Sequence, residues 1–183
     1  MPRTSPLRVR PALTGGAVGT ALALLALLAP AGQAAPAATS LRFTKGTQAH
    51  SRLTVLKGQR TVAAFRAGSG FSDQECARGR GWLPDGTYTL GGHHTAYNGN
   101  LVKGYAIELG SKRCWDGTYR NELFIHSEMT RGGGRGVPED QRWDGNADYH
   151  SHGCIKLRPE DIKSLFWILG REGWPTTLKV THG

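Results

Sequence analysis

Only one stretch of this 183-residue chain carries the spacing of an α-helix. Pro159-Glu160-Asp161 opens it, proline suiting the first helical position and acids suiting the positive end of the helix dipole. Ile162, Leu165, Phe166 and Leu169 follow at i, i+3, i+4 and i+7, which makes one apolar face, and Gly170 and Gly173 end it. The remaining regular stretches are short and extended. Residues 53–56 and 61–67, joined by Lys57-Gly58-Gln59, read as a hairpin. Residues 82–90 form a turn feeding a strand, with Pro84 setting φ and Gly86 allowing the bend. Residues 105–109, 122–125 and 175–180 supply three more strands. Polar loops cover residues 72–81 and 91–99, the second holding His93 and His94. This pattern predicts a mainly β domain, a small sandwich or barrel with one clear helix.

The first 34 residues read as a leader rather than as part of that domain. Arg3, Arg8 and Arg10 precede an uncharged apolar run over residues 15–29, and small residues then surround Ala34. That is the layout of a secretory signal peptide, and its apolar run is short against the roughly 20 residues of a bilayer span. The chain therefore meets the membrane only transiently and is expected outside it, at the cell wall. Residues 35–50 read as a short linker and residues 51–183 as the domain. Three of the 23 Lys and Arg lie in the leader, so against 14 acids the remainder carries +6. Such a charge suits an anionic cell envelope. No basic run is interleaved with aromatic residues, which argues against a nucleic-acid partner.

The chain has three cysteines, an odd number. Export favours pairing two of them. Cys76 and Cys114 both sit in polar loops rich in Gly and Arg, so they are expected to form a disulfide and leave Cys154 free. Cys154 lies in Ser151-His152-Gly153-Cys154-Ile155-Lys156-Leu157, where Gly153 permits a sharp turn with its amides turned to a ligand. A thiol on such a turn becomes a nucleophile when an imidazole takes its proton. His126, His150 and His152 qualify by sequence, and His126, at the end of a strand, has the best position. After it, residues 131–148 show no periodicity and hold five glycines of that loop, a length usual for a functional or disordered connection. With Arg131, Arg135, Arg142 and Trp143, this loop is expected to act as a lid over an anionic, sugar-bearing substrate.

These residues together resemble the L,D-transpeptidases with a YkuD-type catalytic domain. The resemblance rests on Phe124-Ile125-His126-Ser127, on Ser151-His152-Gly153-Cys154-Ile155-Lys156-Leu157, and on the upstream turn Leu83-Pro84-Asp85-Gly86-Thr87-Tyr88. Downstream, the helix and Gly173-Trp174-Pro175 are similar to the family's closing helix and strand. It covers residues 53–180. In two respects the chain departs from the pattern: 28 positions separate His126 from Cys154, so the intervening loop is enlarged, and Lys156 stands where Arg or Asn is usual.

The resemblance implies that Cys154 attacks a peptidoglycan stem tetrapeptide before D-Ala four and that His126 is its general base. The Ser127 carbonyl would orient the imidazole, amides near Gly153 and Cys154 would hold the oxyanion, and His152 would line the site. Ser151, Lys156, Tyr88 and Trp143 are candidate substrate contacts. D-Ala leaves, and the acyl group passes to the amine of a second stem, or to water in an L,D-carboxypeptidase. No metal or organic cofactor is implied, and a monomer inhibited by carbapenem-type β-lactams is expected. Three rivals remain. In a zinc-dependent cell-wall peptidase, His150 and His152 would join His126 and Asp144 or Asp148. The others are a non-catalytic envelope-binding module and an exported toxin of the same fold.

Overall fold

A computed structural model describes residues 36–183; the expected leader lies outside the described residues. Ten strands and one α-helix follow in order: β1 (Thr39–Thr47), β2 (His50–Lys57), β3 (Arg60–Ala67), β4 (Gly86–Asn98), β5 (Lys103–Leu109), β6 (Lys112–Arg113), β7 (Tyr119–Arg120), β8 (Leu123–His126), β9 (Ile155–Lys156), α1 (Pro159–Glu172) and β10 (Thr177–His182). Eight strands form one mixed sheet in the order β3-β2-β1-β10-β4-β5-β8-β9, and β6 and β7 make a separate small hairpin.

The sheet curls until its edges meet. Gly68, just after β3, exchanges both backbone hydrogen bonds with Lys156 of β9, at 3.0 and 2.9 Å. A Cβ at position 68 would lie 2.4 Å from the carbonyl oxygens of both Gln48 and Tyr149, so only glycine lets the edges approach this closely. The closure favours the barrel over the sandwich and removes two exposed edges.

The hairpin expected at residues 53–67 is β2 and β3, turned at Gly58 with φ of 59°. Two expectations are corrected. The supposed linker, residues 35–50, contains β1, which lies inside the sheet between β2 and β10. Leu41, Phe43 and the stem of Lys45 alternate inward along it, and Leu41 pairs with Leu178, far away in sequence. The supposed loop at residues 91–99 is the second half of β4. Its ladder to β5 slips between Leu90 and His93 and again between His94 and Tyr97, and Gly91-Gly92 sits in the first irregularity, as glycines in bulges do.

Helix α1 runs past Gly170 and stops at Gly173, whose φ is 97° and whose N–H bonds the Leu169 carbonyl at 3.0 Å. Thr39 and Lys57 donate to the free carbonyl of Glu172, which satisfies an otherwise orphaned helix end. Ile162, Leu165, Phe166 and Leu169 bury the apolar face in the core formed with Leu41, Phe43, Leu53, Val55, Ile107, Ile125, Ile155 and Leu157. Among the described residues, no helix is long and apolar enough to cross a membrane.

Candidate active site

Two of the core strands also build the floor of a cleft. β8 and β9 run parallel, with Ile125 opposite Ile155 and His126 opposite Lys156. Strand alternation then sorts the side chains. Ile125 and Ile155 point into the core, while Phe124, His126, Cys154 and Lys156 line one cleft of about 880 Å³. The Leu157 amide donates to the His126 carbonyl at 3.0 Å and locks the two strands together beyond the pair.

The turn before β9 is tied internally. Ser151 Oγ donates to the Cys154 carbonyl at 2.7 Å and accepts the amides of Gly153 at 3.1 Å and Gly70 at 3.0 Å. Gly153 has φ of 119°, a conformation that side-chain-bearing residues rarely adopt. Cys154 carries the free thiol and is buried, whereas Cys76 and Cys114 are joined in a disulfide with Cα atoms 5.5 Å apart. Cys154 Sγ donates to the carbonyl of Glu122 at 3.7 Å. Glu122 is the one non-glycine among the described residues with positive φ, 55°, so the backbone that meets the sulfur is held in a sparsely populated conformation.

The His126 Nδ1 lies 3.1 Å from the Ser127 carbonyl oxygen. A carbonyl can only accept, so Nδ1 carries the proton and Nε2 keeps a free lone pair. Burial, reinforced by the nearby Lys156 charge, holds the His126 imidazole down at about 3 despite that hydrogen bond. Burial likewise pushes the Cys154 thiol up to about 11, against the lowering effects of the Phe124 amide, Lys156 and Arg120. At rest the cleft therefore holds a neutral thiol and a neutral imidazole.

Both shifts make stability depend on pH. The His126 contribution is complete above its ordinary value of 6.5 and declines as pH falls toward about 3, at up to about 1.4 kcal/mol per unit. The Cys154 contribution is complete below the ordinary thiol value of 9.0 and is lost as pH rises through about 11. Urea midpoints are expected to plateau between those ordinary values, and His126→Gln should flatten the acid limb. An acid limb unchanged in that variant would contradict a buried neutral ring.

The other candidate residues are placed differently. His152 lines the cleft beside Phe71, with ring centroids 5.6 Å apart, and Ser151 lines it too, though its hydroxyl is spent within the turn. Lys156 is buried, pairs with Glu128 and lies 5.9 Å from the Trp143 ring. Burial and the nearby Asp148 charge raise the Glu128 carboxyl above its usual range despite that pair. Tyr88 does not reach the cleft: it is a core residue whose hydroxyl donates to the Pro84 carbonyl at 2.7 Å. Trp143 is also buried, edge-on to Tyr149 at 4.7 Å, and anchors its loop rather than facing a ligand.

The lid expectation changes accordingly. Arg135 pairs with Glu160, and Arg142 with Glu139 and Asp144. What the loop turns to the cleft is Glu139, Asp140, Ala147 and Asp148, not the arginines expected to bind the substrate. The zinc constellation does not assemble either. Among the described residues, the side-chain groups close enough to share one ion are Glu75–Asp85–His182 and Glu139–Asp144–Asp148, beside Cys76–Cys114–Asp116, whose sulfurs are bonded to each other, and none holds His126, His150 or His152. Sequence reasoning missed Glu122 and also Arg120, which lines the cleft from beneath Gly153. Neither lies in a recognisable motif, and both act through contacts remote in sequence.

No curated protein matches the chain. The family model of the YkuD L,D-transpeptidase catalytic domain matches residues 47–171, a span that runs from the end of β1 through α1 and holds β8, the enlarged loop and the Cys154 turn. A cleft floored by one free thiol and one oriented imidazole, within a match covering more than half of the sequence, places this chain in the YkuD-type L,D-transpeptidase family.

Proposed function

We propose that this protein is an exported cysteine L,D-transpeptidase that cross-links peptidoglycan stems from the outer side of the cytoplasmic membrane. The observation that carries the reading is the parallel β8–β9 register, which turns His126 and Cys154 to the same face of one cleft. Family membership supports the peptidoglycan stem peptide as the substrate class, and the leader-like first 34 residues support export to the cell wall.

In this reading the donor stem enters the cleft and Cys154 Sγ turns from the Glu122 carbonyl toward His126. The thiol proton passes to Nε2 as the sulfur attacks the carbonyl before D-Ala four. Because the Gly153 amide is already given to Ser151, the Cys154 amide is the donor left to stabilise the oxyanion at that turn. The tetrahedral intermediate collapses to a thioester, and D-Ala leaves with the proton from His126. The amine of a second stem then attacks the thioester, giving its proton to the same imidazole and restoring the thiol. Lys156, the register partner of His126, opposes build-up of imidazolium, so each proton is passed on rather than stored.

Incubation of the protein with disaccharide tetrapeptide, followed by product masses, tests this. A dimer lacking one D-Ala is the expected product. A tripeptide alone would indicate L,D-carboxypeptidase action on the same residues, and an unchanged substrate with no carbapenem adduct at Cys154 would mark a non-catalytic module.

A further inference from the structure

Arg120, the last residue of β7, is only 3% exposed. Its guanidinium donates to four backbone carbonyls: Nη1 to Trp82 at 3.3 Å and to Glu75, Nη2 to Gly81 at 3.1 Å and to His152 at 3.2 Å. A buried cation is costly unless it is paired, and here the partners are neutral. Glu75, whose carbonyl Arg120 binds, has its carboxylate bound to Lys45. Burial consequently pulls the Arg120 guanidinium below its ordinary value, and the groups that hold it up are Tyr88, Cys154 and Glu75, with Arg78 opposing. Of these, Cys154 is the one that gives up a proton during the reaction proposed above.

The contact with the turn is equally close. A Cβ on Gly153 would lie 2.2 Å from Arg120 Nη2, so the guanidinium packs directly under that α-carbon while it grips the carbonyl of the preceding residue. A side chain at 153 would thus have to displace the Arg120 guanidinium as well as adopt a φ of 119°.

We propose that Arg120 is the positioning residue of this active site: it clamps the His152–Gly153 peptide and so aims both the Cys154 thiol and the Cys154 amide into the cleft. The planar fork meets several carbonyls at once, which a lysine cannot do. Its fixed charge also favours loss of the thiol proton, together with Lys156 and against Glu122, while His126 lines the same cleft from β8. This inference rests on Cys154 being the nucleophile of the proposed reaction.

The test compares wild type, Arg120→Gln and Arg120→Lys in two assays: turnover of disaccharide tetrapeptide, and the pH midpoint for alkylation of Cys154 by iodoacetamide. For Arg120→Gln, kcat should fall about 100-fold, as expected for a misplacement of about 1 Å, with KM changed less than about threefold. Its alkylation midpoint should rise by about one unit. Arg120→Lys should restore the midpoint while kcat stays low, separating charge from geometry. If Arg120→Gln does not fold, Gly153→Ala displaces the guanidinium from the other side and should lower kcat at an unshifted midpoint. A wild-type kcat in either variant, or a loss confined to thermal stability, would overturn the proposal. If wild type itself fails to turn over the stem peptide, the proposed function fails, and the alkylation midpoints still decide the role of Arg120.

Discussion

His126→Gln is expected to reduce acylation by stem tetrapeptide about 1,000-fold, and Cys154→Ala to abolish it together with any covalent carbapenem adduct. The first figure is the usual worth of a positioned general base, about 10²–10⁴. It applies here because the thiol, pushed up to about 11, is almost wholly protonated at neutral pH. A cysteine already ionised would lose far less when its imidazole is removed. The same argument fixes the pH profile. With the wild-type imidazole held down at about 3, acylation should stay level as pH falls from 8 to 5. A histidine of ordinary pKa would instead shut the reaction down near 6.5. Stopped-flow acylation across that range distinguishes the two, and a loss centred near 6.5 would contradict the buried neutral base.

Reduction of the Cys76–Cys114 disulfide, or replacement of both residues by alanine, is expected to cost about 2–4 kcal/mol of stability and a large share of turnover. The bridge spans 38 residues, for which the chain-entropy account gives about 4 kcal/mol. The effect on activity follows from what the bridge holds. Glu75, beside Cys76, offers its carboxylate to buried Lys45 and its carbonyl to Arg120. Cys114 begins the turn of the β6–β7 hairpin that ends at Arg120, with its N–H bonded to the Thr118 carbonyl at 2.8 Å. Releasing the bridge therefore frees both sides of the grip on His152 and Gly153. Urea unfolding and kcat, each measured with and without reductant, check this. Cys154 is already reduced in the wild type, so reductant does not touch the nucleophile. Unchanged kcat after verified reduction would show the clamp to be independent of the bridge.

How much of this was legible beforehand varies with how local the cause is. Helix α1 was readable because proline, acids and four apolar residues at helical spacing all lie within it. The β2–β3 hairpin was readable because its turn glycine sits between two apolar runs. β1 was not, since Leu41 and Phe43 are its only large apolar residues and its strand character comes from neighbours on both sides, one of them the last strand of the chain. The second half of β4 was hidden for a related reason: two glycines and two histidines look like a loop until β5 supplies a ladder beside them.

By itself, the sequence determined the residue types of the chemistry: one cysteine left over after pairing, a glycine ahead of it, and a histidine ending a strand. These are properties of short segments, set by covalent structure and local backbone preference. The tertiary structure alone decided which candidates meet. Parallel pairing of β8 with β9 brings His126 and Cys154 to one face, the core claims Tyr88 and Trp143, and Arg120 is carried beneath Gly153 by a hairpin that no pattern announced. Contacts between segments dozens of residues apart depend on sheet register and burial, and those exist only once the whole barrel has closed.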